Sequence, residues 1–212
     1  MEHEFWHSRW ERNKIAFHEG TENALIAAHF PKLQLVTNSR IFVPLCGKTR
    51  DIAWLLSQGH RVVGAELSAL AITQLFEELN VTPQIVDRAD HKLYRAPQLD
   101  IFVGDIFTLS QEILGEIDAV IDRAAFVALP DQMRGHYASH LAELSSTSPQ
   151  LLVTFEYDQS ATNGPPFSIS TDEVFARYEK TYMIERLQTA PVSGGLRKAT
   201  PATETIWHLA PR

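Results

Sequence analysis

Glu66 closes the apolar run Arg61-Val62-Val63-Gly64-Ala65, about 20 residues after Leu45 in the stretch Ile41-Phe42-Val43-Pro44-Leu45-Cys46-Gly47-Lys48. An acid placed so after a strand, a tight loop and a helix accepts hydrogen bonds from the ribose hydroxyls of an adenosine-bearing ligand. The same carboxylate also reads as a solvated strand end or as a helix N-terminal charge beside Ser68. Gly47 can take the positive φ that lets backbone approach a ligand closely. The peptide groups of Leu45 to Gly47 would then meet the ligand's amino-acid end. The loop has one glycine where a dinucleotide turn needs three, and no Gly-Lys-Ser/Thr phosphate clamp follows it. A ligand with adenosine and no pyrophosphate fits, which points to S-adenosylmethionine.

Three further groups carry polar or aromatic chemistry. Asp105 ends the run Ile101-Phe102-Val103-Gly104. It could face an adenine amino group, with Ile106 or Phe107 beside the ring, or it could cap a turn. Asp122-Arg123 follows Ala-Val-Ile at another strand end. Arg123 suits a carboxylate held bidentately, Asp122 is the available base, and a simple structural ion pair is the alternative. Trp6, Trp10 and Phe17 precede the first strand. They either cover an apolar face or form a lid, where a ring face attracts a positive centre by roughly 0.5–2 kcal/mol. Cys46 has no histidine in local sequence and reads as a small packed hydrophobe rather than a nucleophile. The histidines show no metal motif flanked by an acid, so no metal is expected.

These groups need a frame. The chain has 212 residues, 44% apolar and 21% charged, enough for one well-filled core. A net charge of −7 without a basic run argues against nucleic acid. The single cysteine excludes a disulfide framework. The acidic, aromatic start is no signal peptide and no apolar run could span a bilayer, so the expected setting is cytoplasmic, without membrane contact. Strands are predicted at 41–44, 61–66, 84–87, 101–105, 117–122, 151–157, 182–187 and 204–209. Helices are predicted at 3–12, 24–30, 49–58, 68–79, 131–144 and 171–178. This alternation implies a mostly parallel sheet with helices on both faces and a terminal hairpin containing one antiparallel strand. One domain over 1–212 is expected, with 1–30 as a helical lid or cover.

Ile15-Ala16-Phe17-His18, Pro44-Leu45-Cys46-Gly47-Lys48, Gly59-His60-Arg61-Val62-Val63-Gly64, Asp122-Arg123 and Gly164-Pro165-Pro166-Phe167 together resemble the thiopurine S-methyltransferase family, nearly end to end. The resemblance implies a class I (Rossmann-like) methyltransferase fold of seven strands, the last antiparallel. It implies S-adenosylmethionine as cofactor, held by Trp10, Leu45, Glu66 and Arg123, with Phe17 beside the substrate. Arg197 corresponds loosely to a substrate-side arginine, since Ser193 to Thr203 matches the family poorly. The implied enzyme is a monomer that methylates thiopurines and other aromatic or heterocyclic thiols by direct in-line transfer, with selenium or tellurium species among the options for a bacterial-type member. Two alternatives remain: a non-catalytic S-adenosylmethionine sensor on the same fold, and an NAD-dependent oxidoreductase, which the loop disfavours.

Overall fold

In the computed structural model, which describes residues 3–15, 20–88, 90–196 and 200–212, apolar residues alternate along the central strands and feed two cores. On β1 (Arg40–Val43), Ile41 and Val43 face one way and Phe42 the other, as the two-residue period of a strand dictates. β2 (Arg61–Glu66) is buried along all but its first residue, the pattern of a sheet covered on both faces.

One core receives α2 (Ala24–His29), α3 (Arg50–Ser57) and α4 (Ala69–Glu78), through Ile26, through Ile52 and Leu55, and through Ile72, Leu75 and Phe76. The other receives α6 (Asp131–Leu144) and α7 (Thr171–Tyr178), through Tyr137 and Leu141 and through Val174 and Tyr178. Local sequence fixes where several of these helices begin. The side chains of Thr49, Ser68 and Ser170 accept the N–H groups of Asp51, Ala71 and Glu173, satisfying donors that a helix start leaves open. The remaining helices are α1 (His3–Glu11), which packs on α4, and the short α5 (Gln111–Leu114).

The other strands are β3 (Gln84–Asp87), β4 (Lys92–Ala96), β5 (Leu99–Val103), β6 (Ala119–Asp122), β7 (Gln150–Tyr157), β8 (Tyr182–Pro191) and β9 (Ala202–Pro211). They form one sheet in the order β3-β4-β5-β2-β1-β6-β7-β9-β8. The five from β5 to β7 are parallel, while β4 and β9 run against their neighbours. Among the described residues the sheet thus has nine strands, against the eight read from the sequence and the seven the resemblance implies, and two antiparallel strands, not one. The strand not anticipated is β4, which forms an edge hairpin with β3. β4 escaped sequence reading because Pro97 and Gln98 make its turn to β5, with Gln98 at φ 61° where a glycine would have signalled the turn. Lys92 and Arg95 also interrupt its apolar pattern. β8 and β9 extend beyond their expected ends, past a register shift between Arg186 and Gln188. No described helix is long and apolar enough to cross a membrane.

Candidate active site

β1 is the point where the chain turns from one half of the sheet to the other, with β2 on one side and β6 on the other. Ligands bind outside the carboxyl ends of strands at such a point. A cavity of about 520 Å³ opens there, within the range of small-molecule sites.

Its floor comes from the loops after β1 and β6. Leu45 holds φ 43° and Gly47 φ 50°; Ala124, just after Arg123, holds φ 62°. Non-glycine residues reach this region only under strain, which clusters at functional loops. The β1 loop is stitched to β2: Cys46 N–H donates to Ala65 O at 3.0 Å, and Gly47 N–H donates to the Glu66 carboxylate at 2.8 Å. The other Glu66 oxygen accepts from Ser68 N–H at 2.8 Å. Burial pushes the Glu66 pKa up, and these backbone donors oppose the rise.

The roof is α1. Trp10 is only 4% exposed. Its ring lies so close over Gly47 that a Cβ there would sit 3.0 Å from Cζ2. Gly47 is therefore required twice, for its φ and for its bareness. Trp6 and Arg9 join Trp10 along the wall.

Trp10, Leu45, Gly47, Glu66 and Arg123 all line this cavity, so five positions singled out from sequence come together. Asp105 and Ile106 are not on its described lining. Asp105 caps the 3-10 turn that follows β5, accepting Phe107 N–H at 3.1 Å, and Ile106 is 1% exposed in the core. Asp122 turns inward. It is fully buried, accepting Phe126 N–H at 3.0 Å and the Tyr137 hydroxyl at 2.8 Å. Burial lifts its pKa to about 6, yet no cavity surface reaches it, so it fixes the Arg123 loop rather than meeting a substrate. Cys46 lines the cavity but packs against Gly64, where a Cβ would lie 2.9 Å from its sulfur. Burial and the Glu66 charge push its thiol pKa well up, away from the reactive thiolate. Phe17 and Arg197 lie outside the described residues.

The far wall was missed apart from the Gly164-Pro165-Pro166-Phe167 turn. Pro165 and Pro166 form part of it, their turn held by Tyr157, whose hydroxyl donates to Pro166 O at 2.7 Å. Phe155 from β7, Glu204 from β9 and Val192, Gly195 and Leu196 from the β8–β9 connection complete it. Because β9 runs antiparallel, its first residues lie at the edge where parallel strands end. Looking at the amino end of the antiparallel strand would have found Glu204. His136 and His140, four apart on α6, are engaged elsewhere: His136 stacks on Phe107 at 4.7 Å, and His140 Nε2 bonds Ile106 O at 2.8 Å. Among the described residues no group of three metal-ligating side chains converges.

The family profile described as thiopurine S-methyltransferase matches residues 1–205. The chain belongs to the thiopurine S-methyltransferase family. It is 53% identical to the thiopurine S-methyltransferase of Xanthobacter autotrophicus over 99% of both chains. With that of Acinetobacter baylyi it shares 45% over 99% of this chain and 98% of the other. In fold it is similar to the 1,6-didemethyltoxoflavin-N1-methyltransferase of Burkholderia thailandensis, solved with 1,6-didemethyltoxoflavin and S-adenosylhomocysteine (TM-score 0.67, 13% identity, 98% of this chain and 87% of that one). The family's methyl donor is S-adenosylmethionine, and the residues here fit an adenosine-bearing cofactor. A buried acid ends β2, a bare glycine lies under an aromatic ring, and the loop lacks a pyrophosphate turn.

Proposed function

We propose that this methyltransferase acts on the sulfur of thiopurines and other aromatic or heterocyclic thiols by direct in-line transfer, as a cytoplasmic monomer whose partner is a small molecule. The observation that carries the reading is one continuous cavity with Glu66 at one end and the Phe155, Pro166 and Leu196 wall at the other. S-adenosylmethionine, when bound, supplies an electrophilic methyl group. Glu66 accepts the ribose hydroxyls, the Gly47 region meets the amino-acid end, and Arg123 holds the carboxylate. Trp6 and Trp10 face a positive centre with π-electrons. The far wall orients the acceptor sulfur; alignment of this kind contributes roughly 7–11 kcal/mol in well-arranged cases. No enzyme nucleophile is needed, in keeping with the unreactive setting of Cys46. Helix α1 acts as a cover over this site, within a single domain.

Calorimetry with S-adenosylhomocysteine, then methylation assays on thiopurines, thiophenols and selenite, tests the reading. Binding at one site per chain with S-methyl products supports it. Cofactor binding without turnover of any thiol or selenium acceptor would favour a sensor instead.

A further inference from the structure

The Gly164-Pro165-Pro166-Phe167 turn stands between two cavities. Pro165 and Pro166 line the one described above, while Asn163, Phe167 and Ser168 line a second of about 420 Å³. With open space on both sides, hydrogen bonds decide where the turn sits. Beyond the prolines, Phe167 N–H donates to Val127 O and Ile169 N–H to Phe155 O, both at 2.7 Å. The prolines themselves have no N–H, so their carbonyls are the handles their backbone offers. Pro166 O accepts the Tyr157 hydroxyl at 2.7 Å. Tyr157 lies two residues after Phe155 on β7, so both side chains leave the same face of the sheet. Phe155 lines the cavity, and Tyr157 continues its row to the turn.

Chemistry fixes the direction of every bond in this cluster. Ser168 N–H can only donate, and it donates to Gln159 Oε1 at 2.8 Å. The NH₂ end of that amide therefore faces the other way, donating to Tyr157 Oη at 3.0 Å and to Thr162 O at 2.6 Å. With an N–H arriving at its oxygen, the hydroxyl directs its single proton to Pro166 O, which can only accept. Ser168 Oγ closes the ring of contacts on the strand. It donates to Tyr157 O at 2.7 Å and accepts Tyr157 N–H at 2.9 Å.

We propose that Tyr157, oriented by Gln159, is a positioning residue that fixes the Pro165-Pro166 wall and so sets the width of ring the acceptor end admits. The inference rests on the thiol-methylation reading above. Tyr157 is not on the described lining, so it acts through the Pro166 carbonyl rather than by touching the acceptor. Gln159 acts one bond further out, by deciding which way the hydroxyl points. Released from Tyr157, the turn yields toward the second cavity, which loosens the grip on a single ring and makes room for a wider one.

The test measures thiophenol and 2-naphthalenethiol methylation by wild type, Tyr157→Phe and Gln159→Glu. Phenylalanine removes the hydroxyl and keeps the ring. Glutamate keeps the size of glutamine but only accepts: one oxygen holds Ser168 N–H, and the other draws the Tyr157 hydroxyl away from Pro166 O, since a charged acceptor outcompetes a carbonyl. Both variants should raise KM for thiophenol about two- to tenfold, the size of one lost hydrogen bond. The kcat/KM ratio should shift toward 2-naphthalenethiol in both, with S-adenosylhomocysteine affinity by calorimetry unchanged. An unchanged ratio in folded variants, or a parallel loss of S-adenosylhomocysteine affinity, overturns the role of Tyr157. A shift in Tyr157→Phe with wild-type behaviour in Gln159→Glu overturns the orienting role of Gln159. A wild type that binds S-adenosylhomocysteine and methylates neither thiol overturns the thiol reading itself, and this inference with it.

Discussion

Burial raises the Glu66 pKa while Gly47 and Ser68 donate one N–H to each of its oxygens. The carboxylate therefore pins the β1 loop as well as awaiting a ribose, and its loss should be felt twice. Glu66→Gln should weaken S-adenosylhomocysteine binding by about 1.5–3 kcal/mol, read by calorimetry. It should also lower the melting temperature, because an amide NH₂ group must face one of the two backbone donors. Asp122 tests the interior. Its folded pKa of about 6 exceeds the ordinary 3.8, so between those values the folded chain keeps a proton that the unfolded chain releases. Stability from this group is complete below the unfolded value and is lost as pH rises through the folded one, about 3 kcal/mol in all. Melting curves should show wild type losing ground to Asp122→Asn from about pH 4 to about pH 7; parallel curves would show that Asp122 is not titrating in the fold. At this scale the sequence was legible wherever a polar residue ends a parallel strand, as Glu66 and Arg123 do. It misled at Asp122, since two adjacent residues at a strand end point to opposite sides and only Arg123 reaches the cavity. Glu204 stayed hidden because the rule that finds acids at carboxyl ends does not look at the start of an antiparallel strand.

Elements announced by caps, prolines and alternating apolar residues were readable, as α3, α4 and the five parallel strands show. β4 was not, because its turn uses Gln98 in a left-handed conformation. The turn between β8 and β9 matters more for function. Gly195 there holds φ 69°, and a Cβ would meet Thr200 O at 2.5 Å. Gly195→Ala must reshape the connection, at a cost of roughly 1–2 kcal/mol for the left-handed backbone alone. It should raise KM for thiols several-fold and leave S-adenosylhomocysteine affinity unchanged, since the glycine lies on the acceptor wall. A parallel loss of cofactor affinity would show that the two ends of the cavity are not separable. At the opposite side, α1 contributes Trp6, Arg9 and Trp10 to the lining while much of its surface is exposed. Hydrogen exchange of its amides should slow when S-adenosylhomocysteine binds, as expected of a cover that closes on its ligand. Equal protection with and without ligand would make α1 a fixed wall.

Across the whole molecule, cofactor binding should stabilise the fold by mass action. At a hundred times Kd the gain is about 2.7 kcal/mol, which for a chain of this length raises the melting temperature by about 5–10 °C. NAD at the same concentration should leave it unchanged. The distribution of the four tryptophans then has a practical consequence. Trp6 and Trp10 line the cavity. Trp54 is edge-on to Phe30 at 5.1 Å, and Trp207 is buried with its indole N–H on Thr154 Oγ1 at 2.9 Å; neither is on the described lining. The molecule thus carries its own optical gauge of occupancy. Ultraviolet-excited emission from the first pair should change as a ligand enters, over a steady background from the second. Trp10→Phe should remove much of that signal, which turns the roof of the site into a means of timing its filling and emptying without any attached dye.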